Sequence, residues 1–416
     1  MDNHFYLGID LDDENAVISY YELNMKEPDT LSTVAGSEVF QIPVLLTKKK
    51  GIGQWFIGEE AKKLAVQQGQ DGIDRLLERA IKHEKICIEG EDYPAEELLT
   101  LYLKKLLLLA GSLGKRGTPD TLVICLAKLS REMTELLGGI APKLGLDREQ
   151  VILMDRKECF YYFVYHQSED IYLHDVCLFD YRGEDIRCCR LSRNLHTTPQ
   201  LITLTEEIRR MDASERDEAF LKVLQDAFRG QIISTSYLVG DGFEGGWMKQ
   251  SVAFLCKGRR AFVGKNLYSK GACYAAAVLE KQYPWQYVYL GDNEMKVNLC
   301  LKVHNRGKLE FFTLISAGDN WYETQGECEV ILDGTPEIDF WLQPPNSREA
   351  KIEKLELADL PERPNKTSRL RIVAKPLSDT KVQIQIKDLG FGELFKGSDK
   401  AWEYIMSFEE ESIWES

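Results

Sequence analysis

No two of the ten cysteines stand in a CxxC pair, Cys188 and Cys189 are directly adjacent, and only six histidines are scattered along the 416 residues. Zinc needs four ligands that converge tetrahedrally, so neither the spacing nor the supply favours a metal site, and none is expected. Most of the cysteines stand in apolar stretches, among them Cys125, Cys177, Cys256 and Cys300. They read as small buried hydrophobes of a reducing, cytoplasmic compartment. Basic charge is in deficit. The 52 Lys and Arg against 67 Asp and Glu give a net charge of −15, which excludes nucleic acid and anionic membrane surfaces as expected partners, because both are held by Lys and Arg. Long apolar runs are missing too. The most apolar segment, Leu98 to Ala110, is short and carries Lys104 and Lys105, so it reads as a buried helix and not as a membrane span. No basic stretch precedes the strand-like Phe5-Tyr6-Leu7-Gly8-Ile9, so no signal peptide is expected.

What is present is enough for two or three domains with sizeable cores, since 44% of the residues are apolar. A strand from Phe5 to Asp10, the acidic turn Asp12-Asp13-Glu14 and a second run from Ala16 to Leu23 form a hairpin signature. Strand-like pieces follow at Val39–Thr47 and Gln54–Ile57. Helical periodicity then takes over at Ile73, Leu76, Leu77, Ala80 and Ile81, and Pro94 opens a leucine-rich helix closed by Gly111 and Gly114. A buried strand at Leu122–Leu126 leads to a helix capped by Ser130. Val151–Met154 leads to an aromatic helix, Phe160–Val164. Strand and helix alternate, which implies a parallel or mixed sheet covered by helices. The pattern restarts at Asp175–Phe179 with a hairpin partner at Ile186–Leu191. Helices are expected over Thr205–Phe228, then a strand Tyr237–Val239 running into Gly240-Asp241-Gly242-Phe243-Glu244-Gly245-Gly246. Helical residues Trp247–Cys256 and a small-residue helix Gly271–Leu279 come next.

Beyond Pro284 the period changes to two. Met295, Val297, Leu299, Leu301 and Val303 alternate strictly, and strand-like runs recur at Leu309–Ile315, Glu327–Leu332, Ile338–Leu342, Ile352–Leu357, Leu370–Ala374 and Val382–Ile386. This predicts an antiparallel β-sandwich, with an acidic, helical tail from Lys400. The aromatics Trp321, Tyr322 and Trp341 suit either a peptide groove or core packing.

Two Asp-led hairpins, ending their first strands at Asp10 and Asp180, carry the chemistry. Glycines at a hairpin turn let backbone N–H groups approach phosphate, and an Asp at a strand end can hold hydrated magnesium. The same two aspartates equally suit turn capping, and the acidic triplet suits a solvated turn.

At these residues the chain resembles the actin-like ATPase superfamily, most closely the seventy-kilodalton heat-shock chaperones. Leu7-Gly8-Ile9-Asp10-Leu11 is similar to that family's first phosphate loop, Ile42-Pro43-Val44 and Ile57-Gly58-Glu59-Glu60-Ala61-Lys62 to its next strand and turn, and Val176-Cys177-Leu178-Phe179-Asp180 to its second phosphate-loop strand. Tyr237-Leu238-Val239-Gly240-Asp241-Gly242 is similar to the adenosine segment, and Lys270–Ala276 to the helix after it. Leu355–Pro364 and Val382–Ile386 resemble parts of the peptide-binding β-domain. The resemblance implies an α/β two-lobed actin-like ATPase fold of duplicated ribonuclease-H-like lobes, over residues 1–170 and 171–285, followed by a β-sandwich over 286–416 without a helical lid. It implies ATP or ADP with magnesium as cofactor. The nucleotide residues would be Gly8, Asp10, Asp180, Gly183, Gly240, Asp241, Gly242 and Gly245, and Asp10, Asp155, Glu158 and Asp180 are candidate catalytic acids.

The departures from that family point the other way. Its first loop carries Gly and Thr after the Asp, where this chain has Asp12, Asp13 and Glu14. Its second loop is a run of three glycines ending in Thr, where this chain has Tyr181-Arg182-Gly183-Glu184-Asp185. Side chains would fill the phosphate space, and like charges about 4 Å apart cost about 4 kcal/mol at a protein surface. Arg182 is expected to neutralise a phosphate or to pair with Glu184 or Asp185. The leading expectation is a chaperone-like binding module, with weak or no ATP hydrolysis, that engages another protein or peptide through the sandwich; the alternative is an active, divergent ATP-dependent chaperone. A sugar or acid kinase is disfavoured because no sugar-site acid stands out, and a filament-forming protein is a further class.

Overall fold

The computed structural model describes residues 4–34, 36–111, 118–212, 214–345, 349–398 and 400–408. Gly114 lies outside these residues, as does the tail beyond residue 408. The protein is a mixed α/β chain followed by antiparallel strands. It divides into two compact units: Met1–Ser192 with Leu204–Trp285, and Arg193–Thr203 with Gln286–Ser416.

The first unit opens with β1 (Phe5–Leu11), every residue of which is buried, and β2 (Asn15–Glu22). A strand buried on both faces reads as a continuous apolar run, and β1 has that composition apart from Gly8 and Asp10. Short strands β3 (Asp29–Thr30) and β4 (Ile42–Pro43) pair with β2, and β5 (Leu46–Lys48) pairs with β6 (Trp55–Ile57). Then come α1 (Gly58–Gln68), α2 (Leu76–Ile81), the hairpin of β7 (Lys85–Ile88) and β8 (Glu91–Pro94), and α3 (Ala95–Gly111). Ile73 lies outside α2 and bridges to Leu46. The wholly buried β9 (Thr121–Leu126) leads to α4 (Arg131–Ile140), whose Met133 amide donates to the Ser130 hydroxyl at 3.2 Å. β10 (Val151–Asp155) leads to α5 (Arg156–Tyr165). The sheet order is β10-β9-β1-β2-β3, antiparallel across β1–β2 and β2–β3 and parallel across β1–β9 and β9–β10.

The same plan then repeats. β11 (Asp175–Arg182) and β12 (Asp185–Asn194) form the second hairpin, and β13 (Gln200–Arg210) follows. The residues up to Arg210 therefore belong to a strand, and among the described residues of the stretch expected to be helices from Thr205 only α6 (Arg216–Ala227) is helical. The β-branched and alternating residues Leu201-Ile202-Thr203-Leu204-Thr205 favour the extended chain over the helix. β14 (Ile233–Val239), α7 (Gln250–Leu255), β15 (Arg260–Val263) and α8 (Leu267–Leu279) complete it. The order β15-β14-β11-β12-β13 matches the first sheet strand for strand, again with parallel pairing across β11–β14 and β14–β15. Helix α8 lies against β1, so closely that a Cβ on Gly8 would stand 2.1 Å from the Ser269 carbonyl oxygen. It crosses α5 with equal intimacy, since a Cβ on Gly271 would stand 2.0 Å from the Cys159 carbonyl oxygen.

In the second unit, Gln200–Thr203 pair in parallel with β16 (Tyr287–Leu290). The two antiparallel sheets that follow comprise β17 (Asn298–Asn305), β18 (Lys308–Ile315), β19 (Gly326–Ile331), β20 (Glu337–Gln343), β21 (Lys351–Glu356), β22 (Arg369–Ser378), β23 (Lys381–Phe391), β24 (Phe395–Lys396) and β25 (Ala401–Ser407). One sheet runs β18-β17-β20-β21; the other runs β19-β22-β23-β24 with β25 also on β23. Their inward residues, including Leu299, Leu301, Phe340, Ile372 and Ile384, share one core. The stretch from Lys400, expected to be helical, is instead β25: alternation at Trp402, Tyr404 and Met406 and pairing to Lys381–Lys387 outweigh its acidic composition. Cys125, Cys177 and Cys300 are buried, whereas Cys256 is exposed just past the end of α7. Trp321 packs on the sandwich core, and Trp321, Tyr322 and Trp341 are all half-buried.

Candidate functional site

Leu11, Leu126 and Asp155 stand in register across the parallel strands β1, β9 and β10. The chain leaving β10 therefore places the next residue, Arg156, beside the end of β1. There the alternation of the strand sets Asp10 and Asp12 on one side. Arg156 Nε donates to Asp10 Oδ1 at 2.7 Å and its Nη2 to Asp12 Oδ2 at 2.8 Å. From the second hairpin, Arg182 Nε donates to Asp180 Oδ1 at 2.9 Å and Nη1 to the same Asp12 Oδ2 at 3.4 Å. Tyr268 of α8 closes the circuit: its hydroxyl donates to Asp180 Oδ2 at 3.2 Å, and the Arg156 guanidinium lies over its ring at 5.4 Å. Three carboxylates, two guanidiniums and one phenol thus form a single connected cluster, with Asp12 as the junction between the two hairpins.

Burial and pairing compete throughout this cluster. Burial pushes the Asp10 carboxyl above its ordinary value, with Arg156 opposing. Burial acts to raise Asp12 as well, but hydrogen bonds from Arg156 and from the Asn15 and Glu14 amides outweigh it and hold Asp12 low. Both arginines would be depressed by burial, yet the carboxylates Asp10 and Asp180 raise them above the ordinary guanidinium range. Burial and the Asp180 carboxylate push the Tyr268 phenol well up.

The glycine-rich turn is filled from within. A Cβ on Gly240 (φ +99°) would stand 2.3 Å from the Tyr181 carbonyl oxygen, and one on Gly242 would stand 2.4 Å from the Tyr181 ring. Glycine is required at both because β11 and the turn touch. The buried Tyr181 ring meets Phe243 edge-on at 5.6 Å, and the Arg216 guanidinium lies over Tyr181 at 5.3 Å and over Trp247 at 4.7 Å. Trp247 Nε1 donates to the Gly242 carbonyl at 3.2 Å.

The structure brings Asp10 and Asp180 into one cluster and distributes the other candidates elsewhere. Gly8 serves the contact of β1 with α8. Gly183 (φ +61°) makes the second hairpin turn in open space, Asp241 is exposed, and Gly245 (φ +90°) lies next to Trp247. Asp155 caps α5, accepting from the Glu158 amide at 2.8 Å, and Glu158 is buried in the first turn of that helix. The acidic triplet is not a solvated turn: Asp12 is drawn into the cluster, and Asp13 caps α2 by accepting from the Leu77 amide at 2.9 Å. Only Glu14 is exposed. Arg182 does not pair with Glu184 or Asp185; the hairpin carries it back to Asp180, and Glu184 pairs with Arg210 instead. Sequence reasoning missed Arg156, Tyr268 and Arg216. The signal for Arg156 was a cation directly after a strand that lies two places from β1; for the other two there was none, because their roles depend on the packing of α8 and α6. Among the described residues no three His, Cys, Asp or Glu side chains are grouped to hold a metal ion, and no helix is long and apolar enough to cross a membrane.

Fold and site together define a mixed α/β protein with two like-ordered sheets, an ion cluster joining their leading hairpins, and a separate antiparallel unit. A family model described as "Family of unknown function (DUF5716) C-terminal" matches residues 27–292, well over half of the chain, so the chain belongs to that family. A second model, "Domain of unknown function (DUF8552)", matches residues 294–408. No curated protein matches the chain.

Proposed function

We propose that this chain is a chaperone-like, protein-binding module on a two-lobed actin-like frame (lobes 1–170 and 171–285, sandwich 286–416) whose nucleotide cleft is closed by its own side chains, leaving weak or no ATP hydrolysis. The reading rests on the repeated strand order with Asp10 and Asp180 near the ends of the corresponding strands β1 and β11, and above all on the Asp10–Arg156–Asp12–Arg182–Asp180 network. A magnesium-bound triphosphate does not fit these residues. The backbone amides of Glu14 and Asn15, which a phosphate loop would turn toward its ligand, are spent on Asp12 Oδ1 at 2.9 and 2.8 Å. Both arginines are neutralised by carboxylates, a surplus of one carboxylate remains in the cluster, and Tyr181 occupies the face of the glycine-rich turn. A polyanion entering here would have to break charge-assisted hydrogen bonds and face that surplus. With the cleft inert, what is left to act is surface, and the sandwich offers it to a protein or peptide partner in the cytoplasm.

Calorimetric titration with ATP and ADP, with and without magnesium, tests this. The expected outcome is no heat up to millimolar nucleotide. Micromolar binding would overturn it in favour of an active ATPase, and magnesium-dependent turnover abolished by Asp10→Asn would complete the reversal.

A further inference from the structure

Strand β18 is an edge: among the described residues it pairs with β17 alone. Its first six residues, Lys308 to Thr313, are all exposed, whereas Leu314 and Ile315 are buried. Lys302 lies opposite Phe311, and Cys300 lies opposite both Thr313 and Trp341, so Phe311 and Trp341 share the outward face of this sheet. Their rings meet at 5.2 Å across β17, and Ile352, opposite Trp341, extends the apolar row. Phe311 is 54% exposed, Leu309 53% and Ile352 41%. Phe312 lies on the other face, opposite the core residue Leu301, yet is still 42% exposed at the rim of the sandwich.

The charge on this hairpin is opposite to that of the chain. Asn298 to Ile315 carries Lys302, Arg306 and Lys308 against the single acid Glu310, in a protein of net charge −15. Among the described residues none of the three cations forms an ion pair; Lys302 lies over the Trp341 ring at 5.3 Å, and Glu310 is taken by the Asn305 amide at 2.6 Å. Charged residues on an edge strand guard against aggregation, but that role needs the lysines and not the aromatics beside them.

We infer that the β17–β18 hairpin is a docking arm that takes an extended, acidic segment of a partner protein as an added strand on β18. The strand's main chain pairs with the free edge of β18. Its apolar side chains lie on Leu309 and Phe311 on one face and Phe312 on the other, and its carboxylates meet Arg306 at the hairpin turn and Lys308 on β18 itself, while Lys302, one strand further in, adds to the positive field of the arm. A second copy of this chain does not suit the same edge, because two such arms paired edge to edge would set their cations against each other. This rests on the protein-binding reading above and names the partner's chemistry.

The test uses the full chain and fluorescein-labelled peptides of repeated Glu-Glu-Val-Tyr, which set both glutamate and an apolar residue on each face of an extended strand, together with the same peptides carrying lysine for glutamate. Anisotropy should rise with the acidic peptides only, the affinity should fall with added salt, and amide exchange should slow along β18. The double variant R306E/K308E should weaken binding at least about tenfold. Phe311→Ser should weaken it too, at the cost of its ring contact with Trp341, and both variants should keep a cooperative thermal transition and an unchanged far-ultraviolet circular dichroism spectrum, so that weakened binding is not read from unfolded protein. The inference is overturned if no acidic peptide binds below millimolar, if the lysine peptides bind equally, if protection falls elsewhere, or if sedimentation shows a dimer that these variants dissolve. Each of those outcomes leaves the nucleotide titration unaffected, so the arm and the closed cleft fail separately.

Discussion

Two Arg–Asp clusters, one buried in the sandwich and one that reaches the surface at Arg182, meet the same demand in different ways. In the sandwich, Asp388 of β23 is saturated: Arg363 Nη1 and Nη2 donate to its two oxygens at 2.8 Å each, the Gly390 and Ser398 amides at 2.9 Å, and the Ser398 hydroxyl at 2.7 Å. Burial acts to raise this carboxyl, and the hydrogen bonds reverse the effect and hold it far below the ordinary carboxylate range. In the hairpin cluster, three carboxylates share two arginines, and Asp10 is left above its ordinary value. One charge per charge with full hydrogen bonding makes a structural staple; three acids on two cations, with Arg182 and Asp12 in reach of solvent, leave Asp10 the one carboxyl that burial outweighs. Buried charges are tolerated only where pairing and hydrogen bonds offset desolvation.

The comparison breaks most visibly in the sandwich. Arg363→Ala leaves a carboxylate with a wholly buried side chain without its cation and is expected to cost about 4 kcal/mol, read from the denaturant midpoint of the sandwich transition. Arg156→Ala is expected to cost about 2 kcal/mol. It should be milder because Asp10, already raised, can take a proton and Asp12 keeps Arg182. Adding Asp10→Asn to Arg156→Ala should recover part of the loss, whereas adding Asp388→Asn to Arg363→Ala should recover less, since the Ser398 and Gly390 amides still require an acceptor. Equal recovery in the two pairs would erase the distinction.

The subtlest expectation concerns pH, where the two clusters have opposite signs. Asp388 is lowered in the folded state, so its contribution is fully present above the unfolded carboxylate value of about 3.9 and is lost as pH falls toward the folded value. The stability advantage of wild type over Asp388→Asn should therefore shrink on acidification below that value. Asp10 is raised, so the folded state binds its proton first. Wild type should gain on Asp10→Asn as pH falls from neutrality through the folded value. Melting temperatures of the three proteins across the acid range check both signs, and parallel curves would contradict both.

Much of the fold was legible. Period-two alternation marked the sandwich strands, and the wholly apolar Leu122–Leu126 marked a strand buried on both faces. The repeated Asp-led hairpin marked both sheets. The errors arose where composition and pairing conflict: β13 and β25 are polar strands whose extended state is decided by the neighbours they pair with. The site was half legible. Asp10 and Asp180 could be singled out because each stands near the end of the first strand of a hairpin. That Asp13 would turn away to cap α2, and that Arg182 would fold back on Asp180, depended on loop geometry that no spacing encodes.

The sequence by itself determined the duplicated strand pattern and the change to antiparallel strands beyond Pro284, because periodicity is local. Only the tertiary structure decided that Arg156 is the cation holding the first hairpin and that Asp12 ties the two hairpins together. It also decided that Gly8, Gly240 and Gly242 serve close packing. Those outcomes turn on residues far apart in the chain, with Arg156 and Asp10 separated by 146 positions. Which partner a buried charge finds is fixed only when strands and helices are brought side by side.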